Sequence, residues 1–194
     1  MADKLIPTPS QTVGPFFHLG LDRPAWSDLT ADNPTGQRIA IEGRVLDGDA
    51  VPVPDALIEV WQANAAGRYN HPDDHQGDKP IDPRFRGFGR TATDGEGRFR
   101  IVTIKPGPAP GRGNALQAPH INLAVFARGL LQHLYTRIYF ADEPANAGDP
   151  LLSSIEDEAA RRTLLARPEA AGSPALYRFD IVLQGANETV FLDV

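Results

Sequence analysis

The strongest constraint on this chain is a rhythm of short, period-two apolar runs, each cut by proline or glycine before it can lengthen. Arg38-Ile-Ala-Ile-Glu-Gly-Arg-Val-Leu46 sets Ile39, Ile41 and Val45 on one side of an extended backbone. That alternation is the mark of a half-buried strand. Ala56-Leu-Ile-Glu-Val-Trp-Gln62 repeats it, with Ile58 and Val60 on one side and Leu57 and Trp61 on the other. The same pattern predicts strands over 89–93, 98–105, 121–126, 134–140, 177–183 and 188–192. Asp47-Gly-Asp-Ala50 and Asp94-Gly-Glu-Gly97 supply tight turns between them. The 18 glycines and 18 prolines are scattered among these runs, so they read as turn formers and not as a linker.

A single helix is predicted near 153–167, opening on Ser153 with early acids and closing at Arg167 before Pro168. Many short strands and one helix predict an all-β domain, a mostly antiparallel β-sandwich spanning residues 37–194. Residues 1–36 read as an extended arm, because Pro7, Pro9, Pro15, Pro24 and Pro34 interrupt every period. Its adjacent Phe16 and Phe17 are uncommon in disordered tails, so the arm is expected to lie against its own domain or a partner. The stretch from Ala63 to Phe85 has no period and is long for a loop, a length that is often functional.

The 194 residues suffice for one domain, and the formal charge of -6 argues against a general nucleic-acid binder. No apolar run reaches the roughly 20 residues of a membrane span. The start, Met1-Ala-Asp-Lys-Leu-Ile-Pro7, lacks a signal-peptide core, so a cytoplasmic setting is expected. With no cysteine in the sequence, disulfides, thiolate metal sites and a cysteine nucleophile are excluded. No Gly-x-Ser-x-Gly elbow and no phosphate-cradling glycine loop leading into a helix is present.

Histidine and tyrosine therefore carry the candidate chemistry. His71 and His75 share the long loop with Asp73 and Asp74, but Pro72 argues against the helix that would align them. Solvated loop charge is the better reading there. His18 and His133 carry no local signal. Ala118-Pro-His-Ile-Asn-Leu123 opens a strand, so His120 and Asn122 should face the same way. A histidine at a strand start is more often a satisfied structural residue than a ligand, and on local grounds both readings stay open.

Taken in order, several segments resemble one family. Asp55-Ala-Leu-Ile-Glu-Val-Trp-Gln-Ala-Asn-Ala-Ala-Gly-Arg-Tyr69 is similar to the strand and loop that enter the iron site of intradiol ring-cleaving dioxygenases. Phe85-Arg-Gly-Phe-Gly-Arg-Thr-Ala-Thr-Asp-Gly-Glu-Gly-Arg-Phe99, Thr103-Ile-Lys-Pro-Gly107, Pro119-His-Ile-Asn122 and Thr136-Arg-Ile-Tyr-Phe140 follow in the family's order. The start, Thr8-Pro-Ser-Gln-Thr-Val-Gly-Pro15, and the end, with Tyr177-Arg-Phe-Asp-Ile181 and Glu188-Thr-Val-Phe191, resemble the α-type chains of its two-subunit members.

The resemblance implies a ferric ion held by two tyrosinates and two histidines, hard anions and imidazoles suited to Fe(III). It also implies cleavage of a catechol by O2 between its hydroxyl-bearing carbons, in aromatic catabolism. The first tyrosine corresponds to Tyr69 and the first histidine to His120. The second tyrosine falls on Ala109, the second histidine on Asn122, and an arginine of the catalytic chains on Gln117. Alanine has no donor atom and a neutral amide is a poor ferric ligand.

The implied reading is an α-type chain without iron, paired about a pseudo-twofold with a β-type subunit that binds Fe(III). The substrate implied is the carboxylated catechol protocatechuate. Thr12, Gly14 and Pro15 of the arm, together with Arg137, are then the expected contributions to the partner's substrate pocket. For Arg137, an interface salt bridge is an equal alternative. Two rivals remain. Arg44–Ile58 also resembles transthyretin-like or carboxypeptidase-regulatory-like binding modules, and an autonomous enzyme could use Tyr69, His120 and the His71/His75 loop.

Overall fold

A computed structural model describes residues 6–111, 115–169 and 174–193. The runs of alternating apolar residues become strands close to where they are expected. They are β1 (Arg38–Leu46), β2 (Leu57–Gln62), β3 (Phe88–Ala92), β4 (Arg98–Ile104), β7 (His120–Phe126) and β8 (Leu134–Phe140). Two short strands, β5 (Ala109–Pro110) and β6 (Leu116–Gln117), form a separate ribbon between β4 and β7. Late in the chain come β9 (Leu165–Pro168), β10 (Ala175–Arg178) and β11 (Ile181–Val182). The expected strand at 188–192 makes only an isolated bridge, Tyr135 to Leu192.

The mostly antiparallel sandwich needs correction. The sheet is mixed: β10 and β11 pair parallel with β1, and β9 pairs parallel with β8. Its path runs β4-β1-β10-β9-β8-β7-β2-β3. The two ends of that path, β3 and β4, are joined by the tight turn 93–97, where Asp94 accepts from Glu96 N and Arg98 N. A twisted sheet whose ends are tied by five residues must curl on itself, and the result is close to a barrel. Ile39, Ile41, Ile58, Val60, Leu123 and Ile138 fill its inside, each no more than 1% exposed.

One close approach governs the edge of β1. A Cβ on Gly43 would lie 1.7 Å from the Phe179 carbonyl oxygen, so only glycine lets the 179–180 junction between β10 and β11 pass. Phe179 N donates to Glu42 O, and Arg44 N donates to Asp180 Oδ1 across the gap.

The single helix at 153–167 is also corrected. Two short helices replace it, α2 (Pro150–Ser154) and α3 (Glu158–Arg162), and Leu165–Pro168 is the strand β9. The caps are aspartates: Asp149 accepts from Leu151 N and Leu152 N, and Asp157 accepts from Ala159 N. Ile155 and Asp157 are extended, which breaks the run. Arg167 precedes Pro168, and a residue before proline is pushed towards extended backbone.

The N-terminal arm lies against its own domain. Thr12 Oγ1 accepts from Gly129 N at 2.8 Å, and the Phe17 ring sits 5.2 Å from Phe126. Part of the arm is a short helix, α1 (Pro15–Leu21), and not extended throughout. Phe16 and Leu19 stay 81% and 72% exposed. The side chains of Pro15 and His18 lie outside what is described.

Candidate functional site

Tyr69 is delivered by the long loop after β2, which is a set of pinned turns. Asn64 Oδ1 accepts from Ala66 N and Arg68 N, and its Nδ2 donates to Pro80 O. Gly67 has φ +80, and a Cβ there would lie 1.9 Å from Pro108 O, which ties the loop to the segment leading into β5. Tyr69 N then donates to Asp74 Oδ2 at 2.7 Å. Burial pushes the Asp74 carboxyl up, but the N–H groups of Tyr69 and Gln76 outweigh it and hold the group below the usual range. The Tyr69 ring stacks on Trp61 at 5.6 Å, and Trp61 meets the edge of His71 at 6.4 Å.

His120 and Asn122 sit on one side of β7, as alternation requires, and both reach Tyr69. Asn122 Nδ2 donates to Tyr69 Oη at 3.2 Å and to Trp61 O at 3.1 Å. The Tyr69 hydroxyl lies 3.4 Å from His120 Nε2, a long contact, and His120 Nδ1 is 2.8 Å from the Ala118 carbonyl. A carbonyl can only accept, so Nδ1 carries the proton and Nε2 is left as the acceptor for Tyr69. Ala109 is buried in β5, opposite Gln117 of β6, and offers no donor.

Arg137 of β8 closes the group. Its Nε donates to Asn122 Oδ1 at 2.9 Å, and its Nη1 donates to Gln117 Oε1 at 3.2 Å and to Tyr139 Oη at 3.3 Å. All three acceptors are neutral side chains on the same chain. Tyr139 in turn donates to Asp149, a fully buried carboxylate that also accepts from Ala118 N. Arg137 thus touches Asn122 and Gln117, the positions that the sequence resemblance matches to a second histidine and an arginine.

The electrostatics follow the burial. Desolvation, then the Arg137 charge, lowers His120 to about 4, so the imidazole is neutral at pH 7. Burial raises the Tyr69 phenol, and the Asn122 hydrogen bond and the Arg137 charge only partly oppose it. The result is a neutral phenol bonded to a neutral imidazole. A ferric centre of the family's type needs two phenolates and two free imidazole nitrogens. Here one phenol and one imidazole remain, directed at each other, with an amide and a methyl group at the other two positions. The residues present do not fit that ion.

His71 and His75 stay apart from this relay. With Trp61, Tyr69, Asp73, Asp74, Gln76 and Pro110 they line an adjacent hollow of about 660 Å³. His71 Nδ1 lies 3.7 Å from Asp73, both largely exposed. His133, which carried no sequence signal, stacks on Phe126 at 5.0 Å and meets Tyr135 edge-on at 4.6 Å, beside the arm. The arm lies at the Phe126 end of β7 and the relay at the His120 end. A seven-residue strand separates them by about 20 Å. Thr12 and Gly14 therefore do not reach the relay of their own chain. The cross-strand partners of Arg137 and its clamp on Gln117 had no sequence signal, because they depend on which strands neighbour β7.

A barrel-like mixed sheet with a tyrosine–histidine pair at one strand end defines a class. The model of the family described as "Dioxygenase" matches residues 14–185, and the chain belongs to the intradiol dioxygenase family. Among its relatives is the protocatechuate 3,4-dioxygenase alpha chain of Pseudomonas putida, 41% identical over 100% of both chains. The protocatechuate 3,4-dioxygenase beta chain of Burkholderia cepacia is 46% identical, over 93% of this chain and 77% of its own length. Among solved structures, the dioxygenase domain of a carbohydrate-binding fusion protein from Streptomyces sp. SirexAA-E superposes with a TM-score of 0.62 at 30% identity. It matches 93% of this chain and 100% of that one.

Proposed function

We propose that this chain is the iron-free α-type subunit of a protocatechuate 3,4-dioxygenase, active only with a β-type subunit that carries Fe(III). The observation that carries the reading is the relay itself: the two retained ligand positions are spent on each other, and Arg137 clamps Asn122, one of the two lost ones, together with Gln117. Local identity is higher to a beta chain than to an alpha chain, but the full-length match is to the alpha chain. Shared ancestry of the two chains explains identity to both. Ligand chemistry separates them, and Ala109 and Asn122 favour the α-type assignment. The resemblance to small transthyretin-like modules covers only the β1–β2 region, whereas the family match spans 14–185.

On this reading the partner's ferric ion supplies activation of a bound, deprotonated catechol towards O2, and the product is 3-carboxy-cis,cis-muconate. This chain supplies wall and shape. Thr12, Gly14 and Pro15 are the residues assigned to the partner's substrate pocket, and a cytoplasmic setting belongs to the same proposal. In this chain Gly14 is exposed, and an added Cβ would meet nothing within 4 Å. Gly14→Trp should therefore leave the fold intact while obstructing whatever the arm faces. For Arg137 the pocket role is the less favoured reading, since its Nε and Nη1 are already engaged by Asn122, Gln117 and Tyr139.

The test is to express the chain alone and with its partner, following visible tyrosinate-to-Fe(III) absorption and protocatechuate-dependent oxygen uptake. A coloured, active complex and a colourless, inactive lone chain are expected. Colour and turnover from the lone chain would defeat the proposal. In the complex, Gly14→Trp should lower turnover at least tenfold with unchanged absorption. Unchanged turnover would remove the arm from the pocket.

A further inference from the structure

Loss of two ligands would by itself weaken metal binding, but it does not explain where Arg137 points. An arginine in β8 could have pointed its head into solvent; this one folds it onto Asn122 and Gln117. Guanidinium has five N–H donors and no acceptor, so every lone pair it meets is consumed. Its Nε lies 2.9 Å from the acceptor atom of residue 122, the position from which a second imidazole would have to present its lone pair to a metal. Its Nη1 meets the acceptor of Gln117, across the ribbon from Ala109, where a second phenolate would stand. The same bond fixes the Asn122 amide, so that Nδ2 faces Tyr69 and leaves the phenol to donate to His120 Nε2. One side chain therefore sets the whole relay.

We propose that Arg137 is a positioning residue that closes this site to metal ions, over and above the missing ligands at 109 and 122. It acts by capping the lone pair that residue 122 presents and by holding a positive charge beside the place a cation would occupy. This inference rests on the iron-free reading above and deepens it. A consequence is that restoring the ligands does not restore the site: a histidine at 122 would accept from Arg137 Nε and stay unavailable.

The experiment uses the assembled complex and counts iron per αβ pair by elemental analysis. Four samples are compared: wild type, Ala109→Tyr/Asn122→His, the same pair with Arg137→Gln, and the same pair with Arg137→Met. Protocatechuate turnover at the partner's own iron reports that each complex has assembled. One iron per pair is expected for the wild type and for the ligand-restored double variant. A value rising towards two, with a matching gain in visible absorption, is expected once Arg137 is replaced by either residue. In iron titrations, the second site should bind at least tenfold more tightly without Arg137 than with it. A double variant that already holds two irons would overturn the proposal, as would two triple variants that remain at one in assembled, active complexes. Two irons in the wild type would instead contradict the iron-free reading on which this one rests.

Discussion

Asn122 has both ends assigned by neighbours, Oδ1 by Arg137 and Nδ2 by Tyr69, and the Ala118 carbonyl fixes the His120 tautomer at Nδ1. A neutral, buried imidazole with its acidity shifted down to about 4 has a defined consequence for stability. The ordinary value is 6.5, so between about pH 4 and 6.5 the unfolded chain binds a proton that the folded chain refuses. Stability therefore rises with pH across that window and is lost as pH falls through it, by an amount on the order of 3 kcal/mol. Unfolding measured at several pH values should show this slope in the wild type and a shallower one in His120→Gln. Equal slopes would mean that another group carries the acid sensitivity. Asp149 is the other residue of this kind, accepting from Leu151 N, Leu152 N, Ala118 N and Tyr139 Oη while fully buried. Asp149→Ala strands several buried donors and should cost about 3 kcal/mol or more in denaturant unfolding. A loss below about 1 kcal/mol would mean that water replaces the carboxylate.

At the scale of elements, the sharpest constraint is the passage of 179–180 over Gly43. Gly43→Ala places a methyl carbon inside the Phe179 carbonyl, so the β1 edge must separate there. A loss of at least about 2 kcal/mol is expected, measured as a lowered denaturation midpoint. A neutral substitution would show that the junction is free to shift. The elements also divide clearly into those the sequence reveals and those it does not. The bounds of β1 and β8 are legible to the residue from their apolar runs, and Ile39 and Ile41 are buried as expected, but Ala40 between them and Tyr139 beside Ile138 are buried too, on the other face of the sheet. Alternation does not report the neighbour. Ile39 pairs with Ala175, more than a hundred residues later and parallel, and no local pattern carries that information. The helix at 153–167 misled because Ser153, the acids after it and Arg167 before Pro168 imitate helix ends, whereas the cap is Asp149 and buried Leu164 and Ala166 stand two apart, the spacing of a strand. Pro168, read as a helix stop, instead belongs to β9, where it keeps Arg167 extended. In the site, Tyr69, His120 and Asn122, which the structure brings together, were singled out through the family's motif order. The direction of Arg137 was not, since it depends on β8 lying beside β7 and on β6 lying near both.

At the scale of the molecule, a nearly closed barrel with an N-terminal arm against the Phe126 end of β7 leaves apolar surface where a partner would dock. Phe16, Leu19 and Leu131 are 81%, 72% and 63% exposed, beside an arm held by Thr12 to Gly129. Removing residues up to Phe17 should weaken assembly with the β-type chain, seen by sedimentation. Undiminished assembly would place the interface elsewhere. No helix among the described residues is long and apolar enough to cross a membrane. The central claim is that two related barrels divide the labour, one holding Fe(III) and the other, with Arg137 clamped on Asn122, holding none. Metal stoichiometry of the wild-type complex tests it most directly: one iron per αβ pair is predicted, and two would contradict the account.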